Sequence, residues 1–239
     1  MAIMVFGKNT VRETLRSGSA IELYVSPRNQ NDPLVGEARS ASIPVRIVSN
    51  TELDKLSKST SHQGYVCSCH QWKEYTLREL IDATKGKENP LFLMLDGIED
   101  PHNLGAILRS ADAFGVDGVI MKKRGEVPLN PTVAKVSTGA IHYVRTCVVP
   151  NLSASIATLK KNGFWIVSSD GSGKMEYDQV DYSGPIVMVV GSEGFGISGL
   201  VLKNSDFVVR IPMVGHVNSL NASVATGILL AGIALLRKK

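Results

Sequence analysis

Four amide or hydroxyl side chains, Asn218, Ser219, Asn221 and Ser223, fall within six positions at the head of an almost wholly apolar stretch, Ala222–Leu236. Polar groups packed that densely against a core need partners. Helix capping would supply them, with Ser219 or Asn221 as the N-cap that takes up the orphan amides of a helix Ala222–Leu236. A ligand pocket would supply them equally. Two more segments of unusual composition follow apolar, strand-like runs: Asp100-Pro101-His102-Asn103-Leu104-Gly105 with Arg109, behind Leu91–Leu95, and Gly191-Ser192-Glu193-Gly194-Phe195-Gly196, behind Ile186–Val190. Polar or glycine-rich turns after the carboxyl ends of parallel strands are where α/β proteins bind ligands.

The elements that must position these groups can be read from periodicity. Asn103 is placed to cap a helix whose buried stripe is Leu104, Ile107, Leu108, Ala111 and Phe114, with Gly115 as its terminator. Arg109 lies off that stripe, where pairing with Asp112 would be its ordinary surface role. Strand runs recur at Leu91–Leu95, Gly118–Met121, Tyr143–Val148, Phe164–Ser168, Ile186–Val190 and Phe207–Ile211 with helical stretches between most of them, which predicts a mostly parallel sheet covered on both faces. Residues 1–70 alternate short helices and strands as a small α/β domain, and residues 71–90, charged and polar with one short helix near Leu77–Ala83, read as a linker.

Gly194, Gly196 and Gly199 spell the dinucleotide fingerprint G-x-G-x-x-G after a strand. That rival lacks its acidic partner about 20 positions on, since no Asp or Glu follows Asp206. Cys67, Cys69 and His70, with His62 nearby, invite a zinc reading; a C-x-C pair on one face of the strand Tyr65–Cys69 with no second pair fits core packing better, and no metal is expected. Three cysteines fit a reducing compartment, and the apolar stretch Val224–Leu236 is short for a membrane span of roughly 20 residues, so a cytoplasmic location without membrane association is expected. The net charge of +4 is compatible with a polyanionic partner without requiring one. Lys122, Lys123 and Arg124, with Lys135 and Arg145 beyond, form a candidate basic rim.

The segments NLGAILRSADAFG (residues 103–115), VVGSEGFGIS (189–198) and IPMVGHVNSLNASVATGI (211–228), in this order and spacing, resemble the three motifs of the SpoU (TrmH-like) RNA ribose 2′-O-methyltransferases of the SPOUT class. The resemblance is closest to the type that methylates guanosine in 23S ribosomal RNA. GKNTVRETL and SHQGYV resemble that family's L30e-like RNA-binding extension. The resemblance implies an α/β fold with a C-terminal trefoil knot over residues 91–239, an L30e-like domain over 1–70, S-adenosyl-L-methionine as cofactor and a homodimer. It implies an RNA substrate, ribosomal RNA first and transfer RNA as the alternative. A catalytically silent RNA-binding or ribosome-assembly protein is the competing class.

Carried over residue by residue, the catalytic pocket comprises Arg109, Asn103, Glu193, Ser219 and Asn221. Main-chain groups of Gly191, Ile211 and Leu220 hold the cofactor, and Arg12, His62 and Gln63 of the N-terminal extension meet RNA; beside such a pocket the charge run Lys122, Lys123 and Arg124 suits further RNA phosphate contacts. Ala222 stands where relatives carry valine. Family mechanisms make the Arg109 equivalent a general base toward the ribose hydroxyl; a guanidinium is so hard to deprotonate that a bidentate phosphate clamp is equally physical.

Overall fold

The computed structural model describes residues 2–216 and 219–238. They divide into two compact units: residues 2–72 with Leu129–Tyr143, and Lys73–Pro128 with 144–238.

The first unit carries a four-stranded mixed sheet of β1 (Ile3–Phe6), β2 (Ala20–Val25), β3 (Val45–Ile47) and β4 (Tyr65–Cys69), in the order β1-β4-β2-β3. β4 is buried at all five residues because it pairs on both sides, antiparallel to β1 and β2. Cys67 and Cys69 lie inside it as free thiols, and burial pushes them up to about 12 and about 11. Three helices, α1 (Lys8–Arg16), α2 (Pro33–Ser40) and α3 (Asn50–Ser57), complete the expected alternation. The strand β1 escapes a reading by periodicity because it is only four residues long.

The second unit is built on an eight-stranded sheet in which every pairing among the described residues is parallel. Its strands are β5 (Glu74–Tyr75), β6 (Leu91–Asp96), β7 (Gly118–Lys122), β8 (Thr146–Val149), β9 (Trp165–Ser169), β10 (Met175–Glu176), β11 (Ile186–Gly191) and β12 (Phe207–Arg210), in the order β10-β12-β9-β11-β6-β7-β8-β5. The central pair β6 and β11 is apolar and buried over Leu91–Leu95 and Ile186–Val190, the pattern of strands covered on both faces. Phe92 and Phe164 stack at 4.9 Å between centroids in the larger core. The helices are α4 (Leu77–Ala83), α5 (Pro101–Ala113), α7 (Leu152–Lys161), α8 (Gly199–Asn204) and α9 (Ala222–Leu236), with α6 (Pro131–Val136) in the first unit.

Two boundaries differ from those expected. Residues 71–90 are no free tether: β5 extends the large sheet beside β8, α4 begins at a Thr76–Glu79 capping box, and Leu80 is fully buried. Residues Leu129–Tyr143, expected in the catalytic domain, belong to the first unit, where Thr10 Oγ1 donates to the Ala134 carbonyl at 3.3 Å and Lys135 Nζ donates to Ser61. Lys135 is therefore not part of a rim on the second unit. The expected strand start at Tyr143 moves to Thr146 because residues 140–142 form a 3₁₀ turn.

Candidate active site

Each site segment leaves the carboxyl end of a strand. After β6, α5 is capped by Asp100, whose Oδ1 accepts the His102 N–H at 2.9 Å, and opened by Pro101 at its first position. Asn103 is therefore not the cap expected of it; it is the third residue of the helix, in the first turn, with its side-chain amide reaching outward to Glu193. After β11, Ser192 and Gly196 exchange main-chain hydrogen bonds at 3.2 and 3.0 Å, closing a tight turn with Glu193 and Phe195 on it. Gly191 has no room for a side chain, since a Cβ there would meet main-chain atoms of Gly196 and Ile197 at 2.2–2.5 Å. That close approach falls outside the G-x-G-x-x-G set, of which Gly194 and Gly199 face open space. After β12, the chain reaches Ser219, Leu220 and Asn221, and Asn221 caps α9 through Oδ1, which accepts the Ser223 and Val224 N–H groups at 2.9 and 3.3 Å. Asn218 of the third segment lies outside the described residues.

These three segments meet at one carboxylate. Asn103 Nδ2 donates to Glu193 Oε1 at 2.9 Å, the Ala222 N–H donates to the same oxygen at 3.3 Å, and Asn221 Nδ2 donates both to Glu193 Oε1 and, at 2.9 Å, to Asn103 Oδ1. Both asparagine amides are thereby oriented by their partners. Capping and site-building are not alternatives here: Asn221 caps the helix with its oxygen and holds Glu193 with its nitrogen. Glu193 Oε2 has no partner among the described residues.

Glu193 stands between two clefts. The first, of about 720 Å³ counting its open mouth, lies among Ser169–Gly171, Gly191, Ile211, Met213, Ser219 and Leu220. All three expected cofactor-binding positions and Ser219 line it. The second, about 1040 Å³ on the same measure, is lined by residues 96–100, Asn103, Lys122 and the Ser192–Gly196 turn. Ser192, Glu193, Gly196 and Ala222 belong to both.

Beneath the second cleft lies a charged group absent from the sequence reading. Asp96, 3% exposed, accepts Lys122 Nζ at 2.6 Å through Oδ1 and the Ser198 N–H at 2.8 Å through Oδ2. Burial alone would raise this carboxyl; Lys122 and Ser198 outweigh it and hold it below its ordinary range. Glu126 accepts the Gly97 and Lys122 main-chain N–H groups, yet burial pushes its carboxyl up to about 8. Ser169-Asp170-Gly171, the turn after β9, was likewise missed, although it obeys the same rule of a polar turn behind an apolar strand.

The remaining candidates are placed as follows. Arg109 is exposed on α5 and lines neither cleft. Lys123 and Arg124 are exposed, as a rim requires, but Lys122 is spent on Asp96 and is withdrawn from it. In the first unit Gln63 is exposed and Arg12 half-buried, whereas His62 is 6% exposed and structural: Nδ1 accepts the Gly64 N–H at 2.9 Å and Nε2 pairs with Asp54 at 3.0 Å. His62, Gln63 and Arg28 border a third cleft of about 850 Å³. No group of three metal-ligating side chains occurs among the described residues, and no helix among them is long and apolar enough to cross a membrane.

A parallel sheet whose carboxyl-end loops build two adjoining clefts around one fixed carboxylate has the layout of an α/β ligand-binding protein, with its sites at the carboxyl edge of the sheet. The family follows from comparison: residues 90–231 match the SpoU rRNA Methylase family and residues 4–75 match the RNA 2′-O ribose methyltransferase substrate-binding domain, so the chain belongs to the SpoU family and is an RNA methyltransferase. A relative in Staphylococcus saprophyticus, assigned to the TrmH family of tRNA/rRNA methyltransferases, is 42% identical over 233 residues, covering 95% of this chain and 93% of its own. Among solved structures, an RNA 2′-O ribose methyltransferase is 27% identical with a TM-score of 0.83, over 100% of this chain and 90% of its own. An AdoMet-bound rRNA methyltransferase from Sinorhizobium meliloti is 25% identical with a TM-score of 0.80, over 97% and 86%.

Proposed function

We propose that this enzyme transfers the methyl group of S-adenosylmethionine to a ribose 2′-hydroxyl of structured RNA, with guanosine in 23S ribosomal RNA as the substrate and a ribose in transfer RNA as the alternative. The observation that carries the reading is Glu193, fixed by Asn103 and Asn221 on the wall common to both clefts.

The first cleft fits the cofactor. Ile211, Met213, Leu220 and Ala225 give it apolar walls for a purine, and Asp170 sets a carboxylate toward a cationic ligand. Gly191, Ile211 and Leu220 would hold it through main-chain groups. The bound group supplies a methyl already activated on a sulfonium, so the protein's share is positioning and proton handling. Glu193 Oε2, without a partner among the described residues, is an acceptor that would be open to the ribose hydroxyl. Arg109, exposed and free of both clefts, suits a clamp on the phosphate flanking the target ribose.

The same reading includes a homodimer, a cytoplasmic location, a C-terminal trefoil knot and RNA docking by the first unit. Val224 and Leu235 of α9 are 50% and 64% exposed in the single chain, apolar surface that a second subunit would cover. The match of residues 4–75 to a substrate-binding domain supports docking. The test is incubation with tritiated-methyl S-adenosylmethionine and unmodified ribosomal and transfer RNA transcripts. Label in 2′-O-methylated nucleosides is expected; label confined to bases, or no label, would refute the proposal.

A further inference from the structure

We propose that the second cleft seats the base of the acceptor nucleotide and that Phe195 and Glu99 select guanine there. The inference rests on the first cleft being the cofactor's, since a cleft that shares Glu193 with a methyl donor's site is where the acceptor must enter.

Its lining argues for a base and against a phosphate. The ionisable side chains on the wall are the carboxylates Asp96, Glu99, Asp100 and Glu193 with a single cation, Lys122, and that cation is consumed by Asp96. An RNA backbone is repelled by such a wall, whereas an uncharged base is not. On the rim, Phe195 is 98% exposed. It does not owe this to slack: the Ser192–Gly196 main-chain pair closes the turn, and the Phe195 N–H donates to Ser192 Oγ at 3.3 Å. An aromatic ring presented on a pinned turn is a platform on which a base can stack.

Specificity comes from what the carboxylates have left to accept. Asp96 is occupied by Lys122 and Ser198, Asp100 Oδ1 by the His102 N–H, and Glu193 Oε1 by the two asparagines. Glu99 makes no hydrogen bond or ion pair among the described residues and is exposed at the cleft. An ionised carboxylate only accepts. Guanine alone offers two adjacent donors on one edge, N1–H and N2–H, to match its two oxygens. Adenine and cytosine each set a donor beside an acceptor nitrogen, and uracil flanks its donor with carbonyls.

The experiment uses the full-length protein, tritiated-methyl S-adenosylmethionine and unmodified ribosomal RNA transcripts, digested to nucleosides after reaction. Label is expected in 2′-O-methylguanosine. Glu99→Gln should lower kcat/KM about tenfold, chiefly through KM, with cofactor affinity unchanged. Phe195→Ala should raise KM and Phe195→Trp should keep it near wild type. Inosine at the target, which lacks the N2 amine, should weaken the wild type and add nothing to Glu99→Gln. Label in another nucleoside's ribose, or wild-type KM in Glu99→Gln, would overturn the inference while leaving the cofactor assignment standing. Phe195→Ala that alters sedimentation and not KM would make the ring an interface residue and overturn its stacking role. Absence of both cofactor binding and ribose label would instead sink the reading of the first cleft.

Discussion

Asn103 donates to Glu193 at 2.9 Å across 90 positions of sequence, and the oxygen that accepts it also receives the first main-chain N–H of α9. One carboxylate thus ties the opening turns of two helices, and its negative charge suits the amino end of α9. Asn103→Ala and Glu193→Gln should consequently be coupled in stability, by about 0.5–3 kcal/mol in a double-mutant cycle followed by denaturant unfolding. Additive effects would show that the contact does not bind the two segments together.

Asn221 separates structural from catalytic roles because its two amide atoms do different work. Asn221→Ser keeps a good N-cap, so the thermal midpoint should shift little, while the donor to Glu193 and Asn103 is lost. Methyl transfer should fall at least about tenfold, the scale expected for mispositioning. A variant with normal turnover would leave Asn221 a cap alone.

Much of this site is legible in the sequence because β6, β11 and β12 are apolar runs, each ended by a polar turn, and a parallel sheet puts such turns at one edge. The ligand side of the chemistry was readable; its supports were not. Asp100 takes the cap expected of Asn103 because Asp followed by Pro is the stronger helix opening. Lys122 reads as one of three adjacent cations, and nothing in a charge run tells which side chain folds back onto a buried Asp96 some 26 positions away. The docking of α6 into the first unit is a long-range contact between short elements with no local signal.

Lys122 and Arg124 should therefore respond oppositely. Lys122→Ala leaves Asp96 buried without its cation and should cost on the order of 3 kcal/mol of stability, with no change in the salt dependence of RNA binding. Arg124→Ala should leave stability within about 0.5 kcal/mol and flatten that dependence by roughly 0.7–0.9 log units if it meets a phosphate. Unfolding curves and filter binding at several salt concentrations distinguish them.

Glu126 makes stability pH-dependent. Burial raises its carboxyl from 4.5 to about 8, so between those values the folded protein holds a proton that the unfolded chain has released. Stability contributed by the neutral form is complete below about pH 4.5 and is lost as pH rises toward 8, in total on the order of a few kcal/mol. Glu126→Gln removes the titration. Relative to it, the wild-type unfolding midpoint should drop as pH is raised from 5 to 8, as read by calorimetry; parallel curves would place Glu126 in its ordinary range.

The division into units predicts how the chain can be cut. Removing residues 1–72 leaves Leu129–Tyr143 without its partners: Thr10 no longer meets Ala134, Glu13 no longer accepts from Tyr143 at 2.8 Å, and Ser61 no longer holds Lys135. Val133, Ala134, Ala140 and Ile141, all buried in the full chain, would face water. Such a truncation should be poorly soluble. Replacing residues 129–143 by a short Gly-Ser bridge in the same deletion removes that exposed apolar surface and leaves untouched every residue lining the two clefts around Glu193. That second protein should be soluble and bind S-adenosylmethionine with near wild-type affinity by calorimetry, while methylating RNA slowly because the matched substrate-binding domain is gone. A soluble simple truncation would show that Leu129–Tyr143 folds without the first unit; an insoluble bridged protein would show that the large sheet depends on it.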